Sequence, residues 1–344
     1  MKVSVVVRTR DEAPRLRLTL ASLSRQSAPC EVVVVDDGSA DATPAVIDEA
    51  RGSPALRTVR HATARGRSAA SNAGARAASG DVLVFLDGDT LAHPGMVARH
   101  MALHEAEPAA MGRGLTLHLR GTRFLADPET GEARAGEENR VARWKPDEAA
   151  AARVTRQQVL HDFAAIERRA GEGVYPGAGA RLLQDLEMQA LRETPDLPVL
   201  WAAACGSNFS VPRAAFLQSG GFDARLDINE HRELALRLSR AGLRLRPVSE
   251  ARSYHLTHRS GWRDPLVETA WEQTFFAAHP ERAVALLAVF WASLAPGCPL
   301  SPGERTGSLA ALDAAARGDA DIAALRDTLG LQPLPLPQAA LAAS

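Results

Sequence analysis

The chain has 344 residues, 46 % apolar and 24 % charged, a balance that belongs to globular proteins and excludes a disordered or fibrous chain. With 40 basic and 41 acidic residues the formal net charge is −1, so no excess of either sign points to nucleic acid or an anionic membrane as partner. Cys30, Cys205 and Cys298 are widely spaced and odd in number. They make neither a CxxC pair nor an even disulfide framework, and free thiols in a reducing cytoplasm are the expectation.

The opening apolar run, Val3–Val7, stops at Arg8. It is too short for the core of a signal peptide and reads as a first β-strand. A helix follows over Ala13–Gln26, with Leu16, Leu20 and Leu23 on one face. The β-branched run at residues 31–35 predicts a second strand, which ends at Asp36-Asp37-Gly38-Ser39; a helix follows over Thr43–Ala50. Leu56–His61 reads as a short strand, Ser68–Ala78 as an alanine-rich helix, and residues 81–86 as a fourth strand, ending at Asp87-Gly88-Asp89-Thr90. Strands apolar on both faces and separated by helices predict a mostly parallel sheet covered on each side. In such sheets ligands bind beyond the carboxyl ends of the strands, where both acidic clusters fall.

From about Arg113 to Leu197 the pattern is less regular. It predicts helical insertions and loops, broken at Gly173, Pro176, Gly177 and Gly179. Order returns at 199–211, then a helix over about 230–241 that stops at Gly242, then a strand-like piece leading to Tyr254-His255-Leu256-Thr257-His258. The remainder reads as helical. Its apolar run Ala283–Ala295 is too short to span a bilayer and reads as a buried helix, and residues 333–344 form a proline- and alanine-rich tail. The organisation expected is a first α/β half at 1–105, a helical insertion at 106–198, a second half at 199–260 and a helical extension at 261–344.

Two carboxylates flanking a glycine at 87–89 can turn toward one divalent ion. Hard ions such as Mg²⁺ or Mn²⁺ take one or two protein carboxylates and complete their shell with phosphate oxygens. Asp-Gly is also a common turn pair, and only the position after a buried strand raises it above that reading. A carboxylate at Asp37 suits a base or a ribose hydroxyl, and equally an N-capping turn.

Taken together, Ser4 to Glu12, Val33 to Ser39, Ser71-Asn72-Ala73-Gly74 and Gly80 to Asp89 resemble the opening of the family 2 glycosyltransferases in order and spacing. Gly206 to Val211, Ser219 to Asp223 and Glu230 to Leu238 resemble that family's acceptor side. The resemblance covers about residues 1–105 and 200–260. It implies a GT-A fold: a Rossmann-like, mostly parallel α/β sheet flanked by helices, here with a helical insertion and a helical C-terminal extension. It also implies an inverting, metal-dependent transfer from a nucleotide-diphosphate sugar, a UDP-sugar foremost, using Mn²⁺ or Mg²⁺.

By the same resemblance Thr9, Glu12 and Asp37 line the nucleotide pocket, Asp87 meets the ribose or the metal's shell, and Asp89 binds the ion. His255 or His258 completes the ion's shell, with a slight preference for His255. Relatives usually carry an Asp after the glutamate of the acceptor helix as general base; here His231 stands there beside Glu230, and the base is placed on one of these two. Ser71 stands where many relatives carry a diphosphate-binding arginine, leaving Arg65 or Arg67 to take that part. Trp201 and Gly206 are acceptor-side candidates, the indole as a stacking platform or as a packing residue. The acceptor, whether glycan, lipid, peptide or small molecule, is open, and so is a retaining mechanism. A catalytically inactive nucleotide-sugar or glycan binding protein is the alternative. The absence of a long transmembrane run favours a cytoplasmic or membrane-peripheral enzyme.

Overall fold

The computed structural model describes residues 1–50, 56–171, 183–258 and 264–335. Its residues fall into two compact units: one comprising 1–172, 206–221 and 248–262, the other 173–205, 222–247 and 263–344.

The first unit is built on one sheet. Strands β1 (Val3–Thr9), β2 (Glu31–Asp36), β3 (Leu56–Arg60) and β4 (Val82–Asp87) are mutually parallel in the order β3-β2-β1-β4. Between them run helices α1 (Ala13–Leu23), α2 (Thr43–Ala50) and α3 (Arg67–Ala77). The valine runs form these strands because branched side chains suit a pleated surface buried on both faces. Val3, Val5, Val6 and Val7 are at most 1 % exposed. The core gathers Val5, Val7, Val34, Val84 and Leu86 against Leu16 of α1. The register puts Thr9 beside Asp36 and Arg8 beside Asp87, so both acidic clusters emerge on the carboxyl edge, as the pattern predicts.

Beyond β4 the sheet continues with β5 (Thr90–Ala92), β6 (Ala110–His118), β9 (Phe209–Pro212) and β10 (Arg244–His255), in the order β4-β9-β6-β10-β5. β9 is antiparallel to both β4 and β6, and β10 is antiparallel to β5. A small hairpin of β7 (Leu125–Asp127) and β8 (Glu132–Ala133) stands apart.

β6 departs from the reading of this region as helical insertion and loops. Its glycines look like breakers in sequence but serve close packing. A Cβ on Gly112 would lie 2.4 Å from Ser210 Oγ, and one on Gly114 would lie 2.3 Å from the Asn208 side chain. Helical pieces do follow, at Glu138–Val141, Pro146–Ala152, Arg156–His161 and Phe163–Glu167. The breaks read at Gly173, Pro176, Gly177 and Gly179 lie outside the described residues, as do residues 336–344 of the tail.

Among its described residues the regular structure of the second unit is helical apart from the start of β10. Helices Leu183–Glu193, Glu230–Arg240, Ala270–Ala278, Leu309–Arg317 and Ile322–Thr328 are its larger elements. The apolar run read as one buried helix is two short ones, Arg282–Ala285 and Leu287–Ser293, with Val284 to Phe290 at most 4 % exposed. Arg326, 2 % exposed, anchors it by donating to Glu272 Oε2 (2.6 Å) and to the Ala285 carbonyl (2.9 Å). Among the described residues no helix is long and apolar enough to cross a membrane.

Candidate active site

The turn after β4 brings the acidic pair out on a tightly fixed backbone. The Gly88 amide donates to the Arg8 carbonyl (2.9 Å), and Thr19 Oγ1 donates to the Gly88 carbonyl (2.9 Å). A Cβ at Gly88 would stand 2.7 Å from both Cβ and Oγ1 of Thr9, so only glycine lets β1 and this turn approach so closely. Asp87 and Asp89 therefore leave the turn with separate partners. Asp87 accepts from Arg8 Nε (2.7 Å), and its amide donates to Ser207 Oγ (3.1 Å). Asp89 accepts from Thr90 Oγ1 (2.9 Å) on one oxygen and turns the other toward two histidines.

Those histidines arrive from the end of β10, where the Leu256 amide donates to the Asp89 carbonyl (2.8 Å). His258 Nε2 lies 2.7 Å from Asp89 Oδ2, and His255 Nε2 lies 3.5 Å from the same oxygen. One ligand atom from each of Asp89, His255 and His258 falls within 4.8 Å of the others, so the three can close on a single ion. The sequence left the second ligand between the two histidines; the fold brings both to Asp89, with His258 the nearer. Arg15, 6 % exposed, braces this arm by donating from Nε to the Leu256 carbonyl (3.2 Å) and from Nη2 to the Leu125 carbonyl (2.9 Å).

Glu12 stands at the edge of the cluster, with one oxygen 3.8 Å from His258 Nε2 and the other 3.5 Å from Arg15 Nη1. Burial, and next the charge of Asp89, raise its pKa, while His258 and Arg15 pull it back. Burial also works against the charge of Asp89, but His255 and His258 outweigh it and hold the carboxyl well below its ordinary 3.8. For His258 burial again opposes the charge; the hydrogen bond and charge of Asp89, then Glu12, lift its pKa above the ordinary 6.5. A persistently charged carboxylate facing two imidazoles is a donor set that fits a divalent transition ion with positions left for other oxygens. Mg²⁺, which prefers an all-oxygen shell, fits it less well than Mn²⁺.

The remaining pocket candidates lie near the carboxyl edge of β1 and β2. Thr9 Oγ1 is buried against the Gly88 turn without a hydrogen-bond partner among the described residues. Asp37 does not act as the capping residue that one of its two readings made it. It caps no part of α2; instead its carboxylate accepts from the amides of Arg65 (2.9 Å) and Gly66 (2.9 Å) and meets His61 Nδ1 at 2.6 Å. It thus shapes the loop that opens α3, where Arg67 is exposed. Gly206 is half-buried and precedes Ser207, the residue that holds the Asp87 amide.

Glu230 and His231 begin the helix Glu230–Arg240 in the other unit, with His231 Nδ1 3.6 Å from Glu230 Oε2. Asn229 occupies the N-cap position in a left-handed conformation (φ 65°), and its side chain caps no helical amide. Its Oδ1 accepts from Arg232 Nη1 (2.9 Å) instead. Arg232 organises this end: it also donates to the Ala202 carbonyl (2.7 Å), to Glu187 (2.9 Å) and to His231 Nε2 (2.8 Å). Trp201 is 3 % exposed and packs edge-on to Phe275 at 5.8 Å, so the structure supports its packing reading and offers no open indole face for a sugar. It also lines a cavity of about 540 Å³ with Leu197, Leu236 and Leu245.

Sequence reasoning assigned no role to Arg8, Ser207, Arg232 or His118. His118 ends β6, with Nδ1 3.3 Å from His255 Nδ1 and the two rings nearly perpendicular. Burial, then the charges of His255 and Arg120, push its pKa down to about 3, so it is a neutral imidazole. Only the pairing of β6 into the sheet places it there, and that pairing was hidden by the glycines of 111–118.

Comparison with known proteins agrees with this geometry. Residues 4–161 match the family model described as Glycosyl transferase family 2. The pre-mycofactocin glycosyltransferase of Mycobacterium tuberculosis is 27 % identical over 316 residues, 90 % of this chain and 55 % of that protein. Staphylococcus aureus TarS 1–349 in complex with UDP-GlcNAc superposes with a TM-score of 0.50 at 16 % identity, over 86 % of this chain and 67 % of that one. The mannosyltransferase PcManGT of Pyrobaculum calidifontis, in complex with GDP-Man and Mn²⁺, does so with a TM-score of 0.51 at 18 % identity, over 95 % and 79 %. The chain spans between 26 % and 55 % of the length of the curated relatives it matches.

Proposed function

Because residues 4–161 match glycosyl transferase family 2 and the chain has the GT-A fold, we propose that it transfers a sugar from a UDP-sugar to an acceptor hydroxyl with inversion and with help from Mn²⁺. The observation that carries this reading is the convergence of Asp89, His255 and His258 at the carboxyl edge of β4.

In this reading those three residues hold the ion. When bound, it supplies positive charge against the diphosphate as that group leaves. Asp87, fixed between Arg8 and Ser207, orients the donor's ribose, and the loop set by Asp37 forms the pocket wall for the base. Arg67 reaches for the diphosphate. TarS was crystallised with UDP-GlcNAc, which favours a uridine donor; PcManGT with GDP-Man makes guanosine the control. The acceptor oxygen attacks the anomeric carbon as the bond to the diphosphate breaks, and its proton passes to a general base. We assign that base to Glu230 ahead of His231, because His231 Nε2 already accepts from Arg232 and a lone pair so engaged is a poor proton acceptor. Gly206 and its neighbours serve the acceptor side. The three free cysteines suit a cytoplasmic setting, at a membrane surface or away from one.

The test is a panel of UDP- and GDP-sugars screened for Mn²⁺-dependent rises in melting temperature, followed by assay of UDP release. Ligand that binds only the native state raises stability by mass action. A UDP-sugar that stabilises the protein with Mn²⁺ and slowly releases UDP supports the enzyme. Stabilisation with no UDP release under any condition points to a binding protein, and no stabilisation by any donor overturns both.

A further inference from the structure

We propose that His118 is a positioning residue for the ion site: it fixes His255 in the tautomer whose Nε2 lone pair faces the ion. The inference rests on the reading of Asp89, His255 and His258 as metal ligands.

His118 Nδ1 and His255 Nδ1 are 3.3 Å apart, with ring planes at 89° and centroids at 5.4 Å. Two imidazole nitrogens at that distance attract only when one carries a proton and the other is bare. The opposite nitrogen of His255, Nε2, points at Asp89 Oδ2 from 3.5 Å. A metal ligand must offer its lone pair there, so the His255 proton sits on Nδ1 and is donated to a bare Nδ1 of His118. Ligating histidines generally have such a partner on the far nitrogen, most often a carboxylate or a carbonyl. Here a second imidazole takes that part.

The acceptor is rigidly held. The His118 amide donates to the Gly171 carbonyl (2.8 Å), the Gly171 amide donates back to the His118 carbonyl (3.0 Å), and the amide of Leu119 donates to the His255 carbonyl (2.9 Å). The backbones that carry the two rings are therefore tied to each other beside the contact. His258, by comparison, reaches Asp89 directly at 2.7 Å, so loss of the His118 contact acts through His255 alone.

The experiment measures Mn²⁺ affinity of the purified chain, without donor, from the paramagnetic resonance signal of free Mn²⁺. Two variants separate the acceptor from the bulk of the ring. In His118→Asn the side-chain oxygen can occupy the place of Nδ1; in His118→Gln the amide falls where Nε2 was. The expected result is that Asn stays within about twofold of the native affinity, whereas Gln weakens it by roughly ten- to a hundredfold, the usual effect of losing such a partner. In a His255→Ala background the Gln substitution has no further effect, since the ligand it positions is gone. Melting temperatures taken in EDTA confirm that both variants fold. Equal affinity of the Gln variant and the native chain overturns the inference, as does equal loss in Asn and Gln. A native chain that binds no Mn²⁺ overturns the metal reading itself, and this inference with it.

Discussion

His258 Nε2 and Asp89 Oδ2 lie 2.7 Å apart although 169 residues separate them in the chain. The contact joins the turn after β4 to the residues that follow β10. It is short because an imidazole and a carboxylate attract strongly where little water screens them. In the proposed reading the same two side chains would hold one ion.

The donor set predicts which metal. One carboxylate and two imidazoles suit Mn²⁺ and Co²⁺ better than Mg²⁺, whose shell is built of oxygens. UDP release measured over a metal series should be highest with Mn²⁺ or Co²⁺, with Mg²⁺ at least about tenfold less effective at equal concentration. Replacing His255 by Asp, which restores an oxygen ligand, should narrow that gap. Equal rates with Mg²⁺ and Mn²⁺ would count against two imidazole ligands.

Without metal, the Asp89–His258 contact makes stability depend on pH in a defined direction. His258 has a folded pKa above 6.5, so its share is full below 6.5 and is lost as pH rises through the raised value. Asp89 has a folded pKa below 3.8, so its share is full above 3.8 and is lost as pH falls through the depressed value. The contact therefore contributes most between 3.8 and 6.5. Melting temperatures in EDTA should show native chain and His258→Asn furthest apart in that window and converging in mild alkali. A gap that widens with rising pH would contradict the assignment.

Gly88→Ala tests the fit of the turn. The added methyl would stand 2.7 Å from Thr9 Cβ and 3.1 Å from the Arg8 carbonyl, and the Thr9 side chain is itself buried. A cost of about 1–3 kcal/mol in chemical denaturation is expected, as for other overpacked sites, with Mn²⁺ affinity falling alongside because Asp89 is displaced. Unchanged stability and affinity would show the turn to be looser than its hydrogen bonds imply.

The general base can be separated from its neighbour by kinetics. Glu230→Gln should lower kcat by roughly 10²–10⁴-fold while leaving donor-induced stabilisation intact. His231→Asn should lose far less, since its Nε2 is already engaged by Arg232. Reversed effects would move the base to His231.

How much of this was legible in the sequence depends on how local the cause is. The valine runs of β1, β2 and β4, and the acidic pairs at their ends, follow from composition and period, and the parallel order and the carboxyl-edge position of Asp37, Asp87 and Asp89 came with them. The arrival of His255 and His258 at Asp89 was reached through resemblance to a family and not through periodicity. β6 escaped because Gly112 and Gly114 interrupt its apolar pattern, whereas in the fold they admit the Ser210 and Asn208 side chains. With β6 unread, His118 had no address. Trp201 stayed open between platform and packing residue for a related reason: its burial against Phe275 joins segments far apart in sequence, and residue type alone does not tell a packed indole from an open one.

The most direct test is anomalous scattering at the manganese edge from crystals grown with Mn²⁺ and UDP. A single strong peak within bonding distance of Asp89, His255 and His258, with the diphosphate of UDP completing its shell, is the predicted result. A peak elsewhere, or UDP bound with no manganese beside Asp89, would contradict it.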